Sequence, residues 1–170
     1  MTIRDFIAAY NKTFEYIETR YGADALKDLW AKISREWCTH LAELASEKGL
    51  EGLLEYWGGA SGTLSREKAF YEVGIKDGVF RGDMAECPSV ADLRQRSHQP
   101  FRGDLSYCDH CEALYAPAVA PYGIDLQFYP DYREDGSCAG SCHWIARAGA
   151  CQKPREVGAR NHETLEGGKV

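Results

Sequence analysis

The spacing of apolar residues changes near residue 70, and this change limits the fold of the chain. Before it, apolar side chains recur every three or four residues over 3–21, 23–48 and 50–57, which predicts three amphipathic helices. After it, two apolar runs flank Asp77-Gly78, a dipeptide typical of a two-residue turn. The sequence therefore predicts a helical layer followed by a β-hairpin.

The rest of the chain supplies shorter elements. The two hairpin strands are predicted over Phe70–Lys76 and Val79–Cys87, and they are followed by a helix over 90–96 capped by Ser89, a polar loop over 97–106, a helix over Tyr107–Ala116, and strands over Ile124–Tyr129 and Cys142–Ala148. The sum is an α+β fold, with N-terminal helices packed on an antiparallel sheet of about four strands and further helices inserted. We expect one domain over 1–148 and a polar C-terminal tail over 149–170.

Charge and hydropathy exclude some classes of function. The net charge of −6 argues against binding to nucleic acid, which requires a basic surface. No apolar run approaches the length that spans a bilayer, and the N-terminus lacks the apolar core of a signal peptide. We therefore expect a cytoplasmic protein without membrane contact, in which thiols stay reduced.

Five of the seven cysteines fall between positions 87 and 142 and form the densest group of reactive side chains. They occur in three segments, Cys87-Pro88, Cys108-Asp109-His110-Cys111 and Cys138-Ala139-Gly140-Ser141-Cys142-His143. An odd number of cysteines in a cytoplasmic chain is more typical of free, catalytic or metal-bound thiols than of structural bridges. This group is therefore the predicted chemical site.

Local geometry distinguishes the members of this group. Cys108 lies at a predicted helix start, where the helix dipole lowers the pKa of a thiol. Cys111, three residues later, shares its face, whereas the intervening His110 is expected to point elsewhere. On the last strand, Cys142 and Trp144 share one face and His143 takes the other.

Four interpretations of the cysteines remain open. One cysteine could be a nucleophile with a histidine as its base. Alternatively, Cys87, Cys108, Cys111, Cys138 and Cys142 could supply the ligands of a zinc ion or an iron–sulfur cluster. The third is a redox pair of Cys108 and Cys111, and the fourth is a packing role in the core. The aromatic residues of the N-terminal helices are interpreted first as core, and these are Tyr10, Phe14, Trp30 and Trp37.

The chain resembles the L-2-amino-thiazoline-4-carboxylic acid hydrolase family over about residues 5–148. The resemblance lies in the aromatic helical half with Tyr21-Gly22, the strand ending in Cys87-Pro88, the segment Tyr107-Cys108-Asp109, and the late turn before Cys142-His143-Trp144. It implies a hydrolase that opens a C=N or C–S centre of a small heterocyclic metabolite, without a cofactor. Cys111 and Cys138 depart from the family pattern.

The resemblance also implies roles for individual residues. Cys108 would be the nucleophile, His110 or His98 the acid/base and Asp109 the residue that orients it, with Cys87 and Cys142 completing the site. A substrate carboxylate would be held by an arginine, and Trp144 would contact the substrate. The candidate arginines are Arg94, Arg96 and Arg102. A homodimer formed along an open sheet edge is a further expectation.

Overall fold

The computed structural model describes residues 3–59, 62–67 and 69–149. Its helices are α1 (Ile3–Tyr21), α2 (Ala23–Trp37), α3 (Thr39–Lys48), α4 (Leu50–Trp57), α5 (Thr63–Arg66), α6 (Pro88–Gln95) and α7 (His110–Val119), with short 3-10 turns at Tyr107–Asp109 and Ala120–Tyr122. Its strands are β1 (Phe70–Lys76), β2 (Val79–Glu86), β3 (Ile124–Tyr132) and β4 (Cys138–Ala148). The predicted α+β class is confirmed, and most of the predicted tail lies outside the described residues.

The four strands form one antiparallel sheet in the order β1-β2-β4-β3. The β1–β2 turn has positive φ at both Asp77 (51°) and Gly78 (71°), as a two-residue hairpin of this twist requires. β3 and β4 extend further toward their connecting turn than predicted, because Tyr132 pairs with Cys138 beyond an irregularity after Pro130. As a result, β4 begins at Cys138 and not at Cys142.

Several helix boundaries differ from the predictions. The helix expected over Tyr107–Ala116 begins as a 3-10 turn at Tyr107–Asp109, and α7 then continues to Val119. The single helix expected over 23–48 is interrupted at Cys38, which separates α2 from α3. α6 begins at Pro88 with Cys87 as its N-cap residue, two residues before the predicted start. Proline is well suited to the first position of a helix, since its missing N–H has no partner there in any case.

The hydrophobic core consists of two clusters. The sheet cluster packs α3, α4 and the end of α7 on the strands, and its largest members are Trp57, Phe80 and Trp144. The helical cluster packs α1, α2, α6 and the start of α7 together around Phe14 and Trp30. Residues 3–59, 62–67 and 69–149 include no helix that is long and apolar enough to cross a membrane.

One predicted core residue is exposed. The side chain of Trp37 is 76% accessible to solvent, so its assignment to the core is wrong. α2 ends at Trp37 and the break at Cys38 turns the chain, so that Cys38 is buried in its place. The other three N-terminal aromatic residues, Tyr10, Phe14 and Trp30, belong to the helical cluster or pack against it.

Candidate functional site

A cavity of about 620 Å³ lies between the two hydrophobic clusters. The sheet forms one wall with Met84, Phe128, Cys142 and Trp144, and the helices form the rest. The helical side contributes Tyr10, Ile33, Trp37, Cys38, Tyr56, Trp57, Tyr107, His110, Cys111, Leu114 and Tyr115. A volume of this size, lined mainly by apolar and aromatic side chains, is typical of a small-molecule site.

All four unpaired cysteines of the described residues line this cavity. They are Cys38, Cys87, Cys111 and Cys142, and they come from four different segments of the chain. On β4, Cys142 and Trp144 face the cavity while His143 stacks on Tyr129 outside it, which confirms the predicted alternation. The fold therefore gathers thiols that are far apart in sequence.

The closest contact between a thiol and a base involves neighbours in the chain. The Nε2 atom of His110 lies 3.9 Å from the Sγ atom of Cys111. The other ring nitrogen, Nδ1, is hydrogen-bonded to the backbone carbonyl of Tyr107. A carbonyl oxygen can only accept, so Nδ1 carries the proton and Nε2 faces the thiol as an acceptor. The expectation that His110 points away from the cysteines of its helix is wrong with respect to Cys111.

Burial keeps this pair neutral. Desolvation lowers the pKa of His110, against the opposing effects of the Tyr107 carbonyl and the Asp109 carboxylate. Desolvation also raises the pKa of Cys111 well above its usual value, and Cys87 and Cys142 add to this shift. At neutral pH the resting pair is therefore a thiol beside a neutral imidazole.

The other cavity thiols are also protonated at neutral pH. Burial raises the pKa of Cys142 to about 12, with further contributions from Cys87 and from the carboxylates of Asp131 and Asp83. Burial likewise raises the pKa of Cys87, although the backbone N–H groups of Val90 and Ser89 at the start of α6 oppose the shift. Burial raises the pKa of Cys38 as well. None of the four cavity thiols of the described residues is therefore a preformed thiolate, so a nucleophile here depends on a neighbouring base.

Cys108 does not present a free thiol. Its sulfur is bonded to Cys138 at the start of β4, with the two Cα atoms 6.3 Å apart. The expectations that Cys108 is free, that it pairs with Cys111 as a redox couple, and that Cys138 is a metal ligand are therefore wrong for this state of the protein. The bridge links the 3-10 turn before α7 to the strand that carries Cys142.

The cysteines also do not fit a metal centre. Among the described residues, no group of three or more His, Cys, Asp or Glu side chains is arranged to hold a metal ion. Two of the five proposed ligands, Cys108 and Cys138, are consumed by their mutual bond. We derive no step through a zinc ion or an iron–sulfur cluster.

Asp109 caps the helix start and does not touch His110. One carboxylate oxygen accepts a hydrogen bond from the backbone N–H of Ser106 at 2.6 Å, and the other accepts one from the hydroxyl of Tyr132 at 2.9 Å. With the Ser106 side chain, these contacts form a capping box. The residue that orients His110 is Tyr107, through its carbonyl, and not Asp109.

The basic residues expected to bind substrate lie away from the cavity. Arg94 donates to the carbonyls of Ala139, at 2.8 Å, and Cys138, and so holds the start of β4. Arg96 forms ion pairs with Asp5 and Asp92, and Arg102 is exposed beside the turn at Gly136. His98 also does not line the cavity. Of the predicted substrate contacts, only Trp144 lies in the cavity wall.

Several cavity residues were not predicted as site residues. Tyr115 follows Cys111 by four positions on α7, a spacing that places the two on one helix face and could have identified it. Tyr56 hydrogen-bonds Thr63 and Tyr115, and burial raises its pKa. Glu67, just after α5, lies at the cavity edge, and burial raises the pKa of its carboxyl group. No sequence pattern marks Tyr56 or Glu67.

Comparisons with known proteins identify no family. No family model, no curated protein and no solved structure matches the chain. The resemblance to the amino-thiazoline carboxylate hydrolases therefore stays a hypothesis, and the site has to be interpreted from its own geometry.

Proposed function

We propose that the protein is a hydrolase that opens a C=N or C–S centre of a small heterocyclic metabolite, with Cys111 as the nucleophile. The observation that supports this proposal is the contact between Cys111 Sγ and His110 Nε2 in the wall of a largely apolar cavity. The resemblance to amino-thiazoline carboxylate hydrolases supplies the reaction class. The nucleophile moves from Cys108 to Cys111 because Cys108 is bonded to Cys138.

The neutral pair is suited to attack on an amidine-like carbon. As the Cys111 sulfur bonds to the carbon of C=N, its proton passes to Nε2 of His110. The π electrons move onto the ring nitrogen, which takes that proton back from the imidazolium. The ring atom that departs, sulfur or nitrogen, takes a proton relayed by Nε2 of His110, while a nitrogen on the same carbon loses one to form a new C=N bond, and the ring opens. Water then adds to that carbon, the bond from the carbon to Cys111 breaks, and the Cys111 sulfur leaves with a proton of the added water as the free thiol.

Burial of the pair favours transfer of the Cys111 proton to His110 at the same time as the sulfur attacks the substrate. An isolated thiolate and imidazolium are both disfavoured in the cavity, as the directions of their pKa shifts indicate. The charge separation is therefore expected to develop only with a substrate in place to receive electrons. The carbonyl of Tyr107 stabilises the imidazolium through its hydrogen bond to Nδ1.

Turnover of a set of cyclic amidines tests the proposal. Purified protein is incubated with 2-aminothiazoline compounds with and without the 4-carboxylate, and ring opening is followed by liquid chromatography and by release of free thiol. Cys111→Ser and His110→Gln are expected to lower turnover by at least about a hundredfold. Cys108→Ala, the matched variant three residues away, is expected to retain it. Full activity in Cys111→Ser would rule out the mechanism.

A metal-dependent enzyme or sensor is the competing function. The donor set of the described residues gives it no support, since no three ligands converge. Metal analysis of freshly purified protein decides between the two functions. Stoichiometric zinc or iron that is lost together with Cys87 and Cys142 would favour the metal site over the thiol mechanism.

We also propose a cytoplasmic location and a homodimer. Four of the six cysteines of the described residues are unpaired, which supports a reducing compartment, and the Cys108–Cys138 bridge is the exception there. The outer edge of β1 is unpaired in the sheet, and Phe70 at its start is 69% exposed. Light scattering on the eluting protein is expected to give twice the 19.0 kDa chain mass. The mass of one chain at micromolar concentration would exclude the dimer.

A further inference from the structure

The described residues that line the cavity include no lysine or arginine side chain. Among them, the one residue with a formal charge is Glu67. His110 also lines it, but burial lowers the pKa of that residue and so favours its neutral form. The site therefore offers a bound anion no counter-ion from the described residues.

Arg66, next to Glu67, lines the adjoining pocket and not this cavity, and its charge acts on the Glu67 carboxylate. The other two nearby arginines are committed to the fold. Arg94 is held by two backbone carbonyls of β4, and Arg96 by the carboxylates of Asp5 and Asp92. To reach the cavity, either guanidinium would have to abandon these partners. A carboxylate entering the cavity would lose its hydration without gaining an ion pair, which is strongly unfavourable.

The walls suit a flat, apolar ring. On the sheet side, the rings of Phe128 and Trp144 stack on each other with centroids 5.7 Å apart, and Trp57 meets Trp144 edge-on at 5.8 Å. Tyr10 faces them from the helical side of the cavity. Aromatic surfaces in these orientations favour stacked or edge-on contacts with a further ring.

We infer that the substrate is an uncharged aromatic or heterocyclic compound without a carboxylate, which separates this site from one built for a heterocyclic acid. That the bound compound is a substrate rests on the proposed function. The preference for an uncharged compound follows from the lining of the cavity and does not depend on any reaction. Hydroxyl groups of Tyr56, Tyr107 and Tyr115 supply the polar contacts that orient a neutral ring.

A matched pair of probes tests the selection by binding alone. 2-Aminobenzothiazole and 2-aminobenzothiazole-6-carboxylate share one ring system and differ by a carboxylate. Their dissociation constants are measured on the full-length protein from the fluorescence of the cavity tryptophans, with isothermal titration as a second readout. The neutral probe is expected to bind at least about tenfold more tightly than the acid. Equal or tighter binding of the acid, or no saturable binding of the neutral probe, would overturn the inference.

Two variants test whether the missing cation causes the preference. Glu67→Gln removes the one formal charge of the lining, and the preference for the neutral probe is expected to persist because the missing cation causes it. A preference that disappears in Glu67→Gln would contradict that cause. Lys68→Ala, at a position outside the described residues, is expected to keep the same ratio. A larger preference for the neutral probe in that variant would overturn the inference, because position 68 would then supply a cation that favours the acid.

A variant that fills the cavity tests whether the neutral probe binds there. Cys142→Phe adds a ring to the sheet wall and is expected to weaken the neutral probe at least about tenfold, while Tyr122→Ala, far from the cavity, changes nothing. If Cys142→Phe does not fold, Ile33→Trp fills the cavity from α2. Unchanged binding in the folded variant overturns the assignment. Selective binding of the neutral probe, together with no ring opening of the 2-aminothiazoline compounds, would overturn the proposed hydrolase and leave this inference standing.

Discussion

His110 Nε2 and Cys111 Sγ lie 3.9 Å apart although the two residues are consecutive on a helix, where neighbouring side chains normally diverge. The contact arises because His110 is the first residue of α7 and its ring folds back onto the preceding 3-10 turn, where Nδ1 meets the Tyr107 carbonyl. Nε2 is thereby turned toward the thiol that follows. The helix start therefore creates the pair.

The alkylation rate of Cys111 should rise steeply with pH. Burial raises the pKa of this thiol well above its usual value, so the reactive thiolate is scarce at neutral pH and increases through the alkaline range. Iodoacetamide labelling followed by peptide mass spectrometry measures the rate at each pH. A plateau already reached near neutrality would indicate a stabilised thiolate and contradict the neutral pair.

Mild acid should destabilise the protein through His110. Burial holds the pKa of His110 in the folded state below the ordinary value of a histidine, so the unfolded chain binds the proton first as pH falls. The stabilising contribution is complete above the unfolded pKa and is lost as pH falls through the folded value. Urea unfolding between about pH 7.5 and 5.5 should show a falling midpoint in the wild type and a flatter profile in His110→Gln. His143→Gln, on the exposed face of β4, is the control and should keep the wild-type slope.

The Cys108–Cys138 bridge should stabilise the oxidised protein. It closes a loop with a sequence separation of 30 residues, for which the chain-entropy model gives about 3–4 kcal/mol. Reduction should therefore lower the melting temperature of the wild type but not that of Cys108→Ala, while Cys142→Ser should respond as the wild type does. An intact mass showing every cysteine reduced in non-reducing buffer would argue against the bridge.

A methyl group at Gly82 should disturb the floor of the cavity. Gly82 on β2 pairs with Trp144 on β4, and a Cβ atom there would overlap the Trp144 indole ring. Gly82→Ala is expected to cost about 1–3 kcal/mol of unfolding free energy and to shift the tryptophan fluorescence. Gly74→Ala on β1 meets no atom within 4 Å and serves as the matched control. Equal stability of the two variants would contradict the close packing of Trp144.

Local sequence signals predicted the elements but not all of their ends. Asp77-Gly78 defines its hairpin because the turn requires two residues with positive φ, and alternation placed Cys142 and Trp144 on the same face of β4. The break at Cys38 carries no such signal, because the apolar spacing continues through it and the interruption reflects how α2 and α3 pack on α7. Tertiary packing overrides periodicity at this position.

The sequence predicted which segments form the candidate site, but it did not predict which side chains contact one another there. The cysteine-rich segments do supply three of the cavity thiols, yet the pairing of Cys108 with Cys138 depends on how β4 approaches the start of α7. Likewise, the direction of the His110 ring depends on one hydrogen bond to a backbone carbonyl. The composition of a segment does not contain such information, because both contacts are made by the folded chain.

The division of the core into a sheet cluster and a helical cluster gives an occupant of the intervening cavity a mechanical role. A guest molecule that touches both sides adds contacts between two clusters that are already joined through α7, whose Tyr115 and Ala118 pack against both. Binding of such a molecule is then expected to raise the melting temperature of the protein, since ligands that bind only the native state stabilise it against unfolding. A compound library ranked by melting temperature would thus reveal the natural guest before any reaction has been assigned.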